Sequence, residues 1–225
     1  MLFRSRLDVD VSADNRFILF VNGRQVASGP ARGDLAHWRY RPLDIAPYLK
    51  AGSNVIAARV WNDGKAAGVA QISARTGFWL NVAPQAAPGL RHALESGTGW
   101  QVRIDGSRTV APAQPGLAAR LGRARYFAAP PPETHIAAQS LPGWNLGVGA
   151  NGSGDWSVAA PALAQGETAP WTLTRDKLPA MALTPLDGGR TVLAEGIKAG
   201  QFPKAPLIIP ANSDVTLRLD MGAMR

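Results

Sequence analysis

The sequence lacks cysteine, has few acidic residues and holds no long apolar run, and each absence excludes a class of protein. Without cysteine, the 225 residues form no disulfide framework, no thiolate zinc site and no cysteine nucleophile. No stretch approaches the ~20 apolar residues of a membrane helix, and the opening MLFRSRLDVDV lacks the apolar centre of a signal peptide. We therefore expect no membrane partner, and the compartment stays open between periplasm, secretion and cytoplasm.

Acidic residues are outnumbered by basic ones, 16 against 24, which gives a formal net charge of +8. A basic excess can indicate a nucleic acid or another anionic polymer as the partner. The arginines are scattered, however, apart from one local group at Arg120, Arg123 and Arg125. Because nucleic-acid binding needs a basic stripe and not only a basic total, we expect no nucleic-acid partner.

Motifs for catalysis or metal binding are also absent. The three histidines are far apart, without the spacing of a metal site, and no local motif favours a catalytic triad. Residues Gly147 to Gly152 match G-x-G-x-x-G, but no helical pattern follows them. Several aspartates fall in predicted turns, where aspartate commonly caps or forms the turn. We predict no catalytic residue, no metal ion and no cofactor in this chain.

What the sequence has in quantity is short apolar stretches separated by turn residues, among them 24 Gly and 18 Pro. RLDVDVSAD alternates, with Leu7, Val9 and Val11 on one face, which is typical of a half-buried strand. RFILFV is apolar on both faces, which predicts a central strand. Asn22 and Gly23 directly after it predict a type I′ β-hairpin turn.

The remaining pattern predicts an all-β protein, a β-sandwich or jelly roll. We predict further strands in NVIAARVW, AQISARTGFWLNV, GWQVRIDG, RTVLAEGI and DVTLRLDMG. Pro84 and Pro88 are expected to interrupt regular structure, and LAARLGRARYF is the only segment with a helical pattern.

Aromatic and polar side chains beside the turns are the candidates for a binding site. Aromatic faces can stack on the C–H faces of sugar rings, although core packing accounts for the same residues. Polar loop residues could add hydrogen bonds to a sugar, with turn formation as the alternative. The candidate carbohydrate-binding residues are Arg32, Asp34, Trp38, Tyr40, Trp61, Asn62 and Asp63.

One run of motifs resembles a known family. The patterns ADNRF-x-L-x-VNG, GPARGD, DIAPYLKAG-x-NVIA and VWN-x-G follow one another in this order between residues 13 and 64. Together they resemble the N-terminal β-sandwich of bacterial α-L-rhamnosidases, glycoside hydrolase family 78. GWQV, PGWN, DWSVAA and PWTLTRDKLPAM are similar to the family's continuation, and FPKAPLIIPANSDVTLRLDMG is similar to the beginning of its next β-sandwich.

The resemblance implies a galactose-binding-like jelly roll over residues 1–178, followed over 179–225 by a linker and the first strands of a truncated second β-sandwich. In that family hydrolysis belongs to a later (α/α) barrel, to which nothing here corresponds. The implied function is therefore a non-catalytic accessory region, with the downstream domains of the parent chain and a rhamnose-containing glycan as partners. We expect the natural chain to extend beyond these residues. A stand-alone carbohydrate-binding module and a protein that binds anionic polymers remain the alternatives.

Overall fold

The computed structural model describes residues 6–68, 71–97, 99–110, 133–147, 156–179 and 188–222. The chain divides into two compact units, Met1–Leu178 and Pro179–Arg225. Short strands, numbered here in chain order, dominate both units, so the chain is an all-β protein as predicted. In the described part of the chain, no helix is long and apolar enough to cross a membrane.

The first unit is built on two antiparallel sheets. The larger contains β1 (Asp8–Asp14), β4 (Trp38–Asp44), β6 (Gly77–Val82) and the short β11 (Leu173–Arg175), in the order β11-β4-β1-β6. The smaller contains β2 (Arg16–Val21), β3 (Arg24–Gly29) and β5 (Ile56–Trp61), in the order β3-β2-β5. Only β11 departs from the antiparallel pattern, because it pairs with β4 in parallel.

The core of the sandwich comes from alternate residues of β1 and β2. Val9 and Val11 are 1% and 0% exposed, and Phe17, Leu19 and Val21 are fully buried. The predicted alternation of β1 and the predicted central position of β2 are therefore confirmed. Burial of each such side chain on folding contributes roughly 1.5–3 kcal/mol to stability, so these five residues of β1 and β2 provide a substantial part of the packing energy between the sheets.

The turn between β2 and β3 is the predicted hairpin. Asn22 and Gly23 have φ values of 51° and 80°, the two positive angles that a type I′ turn requires. The ladder slips by one residue between Leu19 and Phe20, which indicates a β-bulge in the pairing with β3.

Two predictions of regular structure are wrong. Residues 71–76 form a loop and not the first half of a strand, because the backbone N–H groups of Ala74 and Arg75 donate to the carboxylate of Asp14. Pro88 does not interrupt regular structure but begins the helix α1 (Pro88–Leu94). The N–H group of the first helical residue has no acceptor within the helix, so proline, which lacks this group, is well suited to that position.

Three short strand pairs complete the described structure. In the first unit they are β7 (Gln101–Val102) with β10 (Ser157–Val158), and β8 (Arg108–Val110) with β9 (Glu133–His135). The second unit contains β12 (Arg190–Glu195) paired with β13 (Thr216–Asp220), as predicted. The predicted helix LAARLGRARYF, its three arginines and the G-x-G-x-x-G motif after Gly147 lie outside the described residues.

Candidate functional site

A large cleft, which we call the Trp61 cleft, is lined by residues of the smaller sheet, by residues of β1 and β6 in the larger sheet, and by the segments that follow them in the first unit. The side chains of Ile56, Ala58 and Val60 pack on the core, so Arg59 and Trp61 extend from the opposite face of β5. Both line a cleft with a volume of about 1630 Å³. Pockets for small molecules measure about 300–1,000 Å³, so this cleft has room for an extended ligand of several rings.

One part of this face is covered by residues 144–147. The rings of Phe20 and Trp144 meet edge to face, with their centroids 5.4 Å apart. Asn145 Nδ2 donates to the carbonyl oxygen of Gly23 at 3.4 Å, which ties this segment to the hairpin turn. The hairpin part of the outer face is therefore closed by protein, whereas Trp61 stands at the other end of β5.

The hairpin of β8 and β9 contributes a polar wall to the Trp61 cleft. Arg108 and Glu133 form an ion pair of 3.0 Å across the two strands. The carboxylate of Asp105 accepts hydrogen bonds from the backbone N–H and the hydroxyl of Ser107. Burial raises the pKa of Asp105, but the hydrogen bonds from Ser107 and the nearby charges of Arg59 and Arg108 together hold this pKa below its ordinary value. Both carboxylates are therefore engaged within the wall.

Arg59 and Trp61 form the centre of the cleft. The guanidinium of Arg59 lies over the indole ring of Trp61, 5.7 Å from its centroid, and Arg59 is half-buried. Burial, together with repulsion from Arg108, lowers the pKa of Arg59 despite the attraction of Asp105 and Glu133. Within the described part of the chain, no carboxylate forms an ion pair with Arg59 and no oxygen accepts a hydrogen bond from it.

Asn62 and Asp63 follow Trp61 and line the same cleft. The amide of Asn62 is largely engaged, because Nδ2 donates to Ser73 Oγ at 2.7 Å and Oδ1 accepts from Gly64 N at 2.9 Å. Asp63 precedes the 3-10 turn Gly64–Ala66, and its side chain makes no capping hydrogen bond. Of the two, Asp63 has the side chain that is freer to contact a ligand.

The other four candidate residues are placed differently. Trp38 borders the cleft but is only 6% exposed, and its Nε1 donates to the carbonyl oxygen of Ala13 at 3.3 Å. Tyr40 lies on the larger sheet, where its ring meets Trp79 edge to face at 5.8 Å. Arg32 is exposed on the loop before β4 and lies outside the cleft. Trp38 and Tyr40 thus make the packing contacts that were the alternative to sugar binding.

Asp34 serves as a helix cap. Its Oδ1 accepts from the backbone N–H of His37 at 2.7 Å, at the start of the 3-10 helix Leu35–His37. The hydrogen bond with the His37 ring, followed by that with its backbone, holds the pKa of Asp34 below its ordinary value. The structure therefore brings Trp61, Asn62 and Asp63 together on one cleft, and Asp34 is not part of it.

The cleft also contains residues that the sequence analysis missed. Arg59 could have been found, because residues two apart in a strand share a face and Arg59 therefore accompanies Trp61. No sequence pattern places Asp105, Arg108 and Glu133 in the cleft. The strands β8 and β9 are only three residues long and are widely separated in sequence. The indole N–H of Trp156 also lines the cleft and is buried without an acceptor among the described residues.

The structure also bears on metal binding. Among the side chains described, no group of three or more histidine, aspartate or glutamate residues is arranged to hold a metal ion. The charged groups that line the Trp61 cleft are instead the guanidinium groups of Arg59, Arg103 and Arg108 and the carboxylates of Asp14, Asp63, Asp105 and Glu133. Such a set forms hydrogen bonds and ion pairs with an organic ligand.

Comparison with known proteins relates the chain to one solved enzyme structure. No family model matches the sequence, and no curated protein matches it. The crystal structure of the GH78 family rhamnosidase of Bacillus sp. GL1 is similar, with a TM-score of 0.61 and 20% sequence identity. The match covers 86% of this chain and 19% of that chain, so this chain spans about a fifth of the length of its structural neighbour. At this identity the similarity shows a shared β-sandwich fold and a distant structural relation.

Proposed function

We propose that this chain is a non-catalytic accessory region of an α-L-rhamnosidase-like glycoside hydrolase, and that its Trp61 cleft contacts the glycan. The observation that carries the proposal is the structural match, which takes in most of this chain but only a small part of a rhamnosidase. The ordered motifs between residues 13 and 64 support the same parent family. Downstream domains of the parent chain are the expected protein partners.

The Trp61 cleft supports the glycan part of the proposal. A sugar presents hydroxyl groups at its edge and C–H groups on its faces, so its binding sites combine aromatic rings with charged or amide side chains. Trp61 provides the ring, while Arg59 and Asp63 provide polar groups that can reach hydroxyl oxygens and hydrogens. The cleft has the volume for an oligosaccharide.

The state of Asp105 and Glu133, the two carboxylates of the polar wall, supports a non-catalytic role. Glycoside hydrolysis requires two carboxyl groups on opposite sides of the scissile bond, and one of them must be protonated, with a raised pKa. Burial raises the pKa of Asp105, but the Ser107 hydrogen bonds together with Arg59 and Arg108 hold it below its ordinary value, and Glu133 is paired with Arg108. Asp105 therefore lacks the raised pKa of a general acid, and the carboxylate of Glu133 is held by an arginine.

The proposal predicts that rhamnose-containing oligosaccharides bind this chain at Trp61. Tryptophan fluorescence of the 225-residue chain should change saturably during titration with such an oligosaccharide, and the Trp61→Ala variant should lose the response. Truncating a ring that stacks on a sugar removes its apolar contact, so we expect affinity to fall at least about tenfold, or about 1.4 kcal/mol.

The matched control is Tyr40→Ala, which removes a half-buried ring on the larger sheet, outside the cleft. This variant should bind as the original chain does. An unchanged signal up to tens of millimolar sugar, or equal binding by Trp61→Ala, would contradict the glycan contact. Release of rhamnose from an aryl rhamnoside by this chain alone would contradict the non-catalytic role.

A further inference from the structure

Arg59 has a charge that no ion pair or hydrogen bond within the described residues neutralises. It is half-buried on the floor of the Trp61 cleft, and no ion pair or hydrogen bond of its guanidinium occurs among the described residues. The two nearby carboxylates are engaged elsewhere, Asp105 with Ser107 and Glu133 with Arg108. A half-buried cation without a counter-ion is costly, so an anion that enters the cleft gains from pairing with it.

We propose that the Trp61 cleft binds a sugar that carries a carboxylate, a uronic acid unit, with Arg59 pairing with the carboxylate. This inference rests on the proposed glycan contact and names the class of sugar. A guanidinium presents parallel N–H donors that match the two oxygens of a carboxylate. Contact with the Trp61 ring restricts the Arg59 side chain before binding, which lowers the entropy cost of forming the pair.

The electrostatics of the cleft support an anionic ligand. Burial and Arg108 lower the pKa of Arg59 more than Asp105 and Glu133 raise it, so the net environment disfavours the positive charge of Arg59. A carboxylate beside Arg59 would relieve both the burial cost and the repulsion from Arg108. A neutral sugar would leave the guanidinium without a counter-ion.

The same cleft is poorly suited to a densely charged polymer. Asp105 and Glu133 lie on its polar wall and would repel the phosphate or sulfate groups of a polymer beyond the one that pairs with Arg59. Polyanion binding also depends on a row of available cations, whereas among the described residues of this cleft Arg108 is paired with Glu133, Arg103 has an interaction of its own, and Arg59 lacks an ion pair. One carboxylate on an otherwise uncharged sugar fits this charge distribution better than a polyanion does.

The test compares D-galacturonate with D-galactose, which differ only in a carboxylate in place of a hydroxymethyl group. Calorimetric titration of the 225-residue chain at low salt should show galacturonate binding at least about tenfold more tightly, as expected of a charge-assisted hydrogen bond. Added salt should weaken the binding of galacturonate and leave that of galactose unchanged. Acetate should not compete at concentrations where galacturonate saturates the chain.

Variants assign the preference to Arg59. Arg59→Gln should remove the difference between the two sugars, whereas Arg175→Gln, an exposed arginine outside the cleft, should preserve it. Circular dichroism checks that both variants fold, and the salt dependence of the unmodified chain tests the inference without any variant.

Three results would overturn the inference. Equal affinity for the two sugars, or a preference that persists in Arg59→Gln, removes the uronate assignment and leaves the proposed glycan contact intact. Acetate binding as tight as that of galacturonate removes the sugar from the assignment. Failure of both sugars and of rhamnose to bind removes this inference and the proposed glycan contact together.

Discussion

At the scale of single residues, Asp14 is a buried carboxylate that accepts hydrogen bonds from several parts of the first unit. It is 3% exposed, and its carboxylate accepts from Ser73 Oγ at 2.6 Å, Ala74 N at 2.7 Å and Arg75 N at 3.0 Å. Trp171 Nε1 donates to it at 3.0 Å. The end of β1 is thereby joined to the loop 71–76 and to a residue far along the chain.

Replacing Asp14 with asparagine should destabilise the first unit by about 2–3 kcal/mol, because an amide N–H₂ group would face several N–H donors and leave them unpaired. Denaturant unfolding followed by tryptophan fluorescence measures the effect. Asp63→Asn is the matched control, since the Asp63 side chain makes no capping bond, and we expect it to change stability by less than about 0.5 kcal/mol. Equal unfolding midpoints for the two variants would refute this role of Asp14.

At the scale of elements, the β2–β3 hairpin depends on Gly23 for two separate reasons. Its φ of +80° disfavours any side chain, and an added Cβ would overlap the side chain of Leu146. Gly52 provides a comparison, because its φ is +79° but nothing lies within 4 Å of the position of an added Cβ. The two glycines therefore differ in packing and not in backbone conformation.

We expect Gly52→Ala to cost about 1–2 kcal/mol, the strain of a left-handed residue, and Gly23→Ala to cost more because Leu146 must move. Thermal unfolding of the two variants gives the comparison. Leu146→Ala removes the overlap, so adding Gly23→Ala to that variant should cost only as much as Gly52→Ala does, the backbone strain alone. Equal losses for Gly23→Ala and Gly52→Ala would show that the segment around Leu146 does not pack on the hairpin.

The same scale shows where sequence patterns succeed and where they fail. β1, β2 and the Asn22-Gly23 turn are determined by local alternation and turn chemistry, so they could be predicted. Residues 71–76 alternate like a strand, but their N–H groups bond to Asp14, about sixty residues away. A long-range contact of this kind leaves no local signal. For the same reason the polar wall of β8 and β9 could not be predicted.

At the scale of the whole molecule, the β-sandwich followed from many short strands and their turns, and the structure confirms it. The binding site could be predicted only in part. The strand pattern predicts that Trp61 and the turn residues after it lie at the end of a strand. Whether a tryptophan side chain packs in the core or faces a ligand depends on its burial, and Trp38 is buried. Burial depends on which elements cover a surface, and that is a property of the assembled fold.

The most direct test of this account is hydrogen–deuterium exchange of the 225-residue chain with and without a rhamnose-containing oligosaccharide. We expect the ligand to slow exchange in peptides that cover residues 56–66 and 133–140, which border the Trp61 cleft, and to leave residues 40–44 of the larger sheet unchanged. Protection confined to residues 40–44, or no protection at a concentration that saturates binding, would contradict the proposed glycan contact.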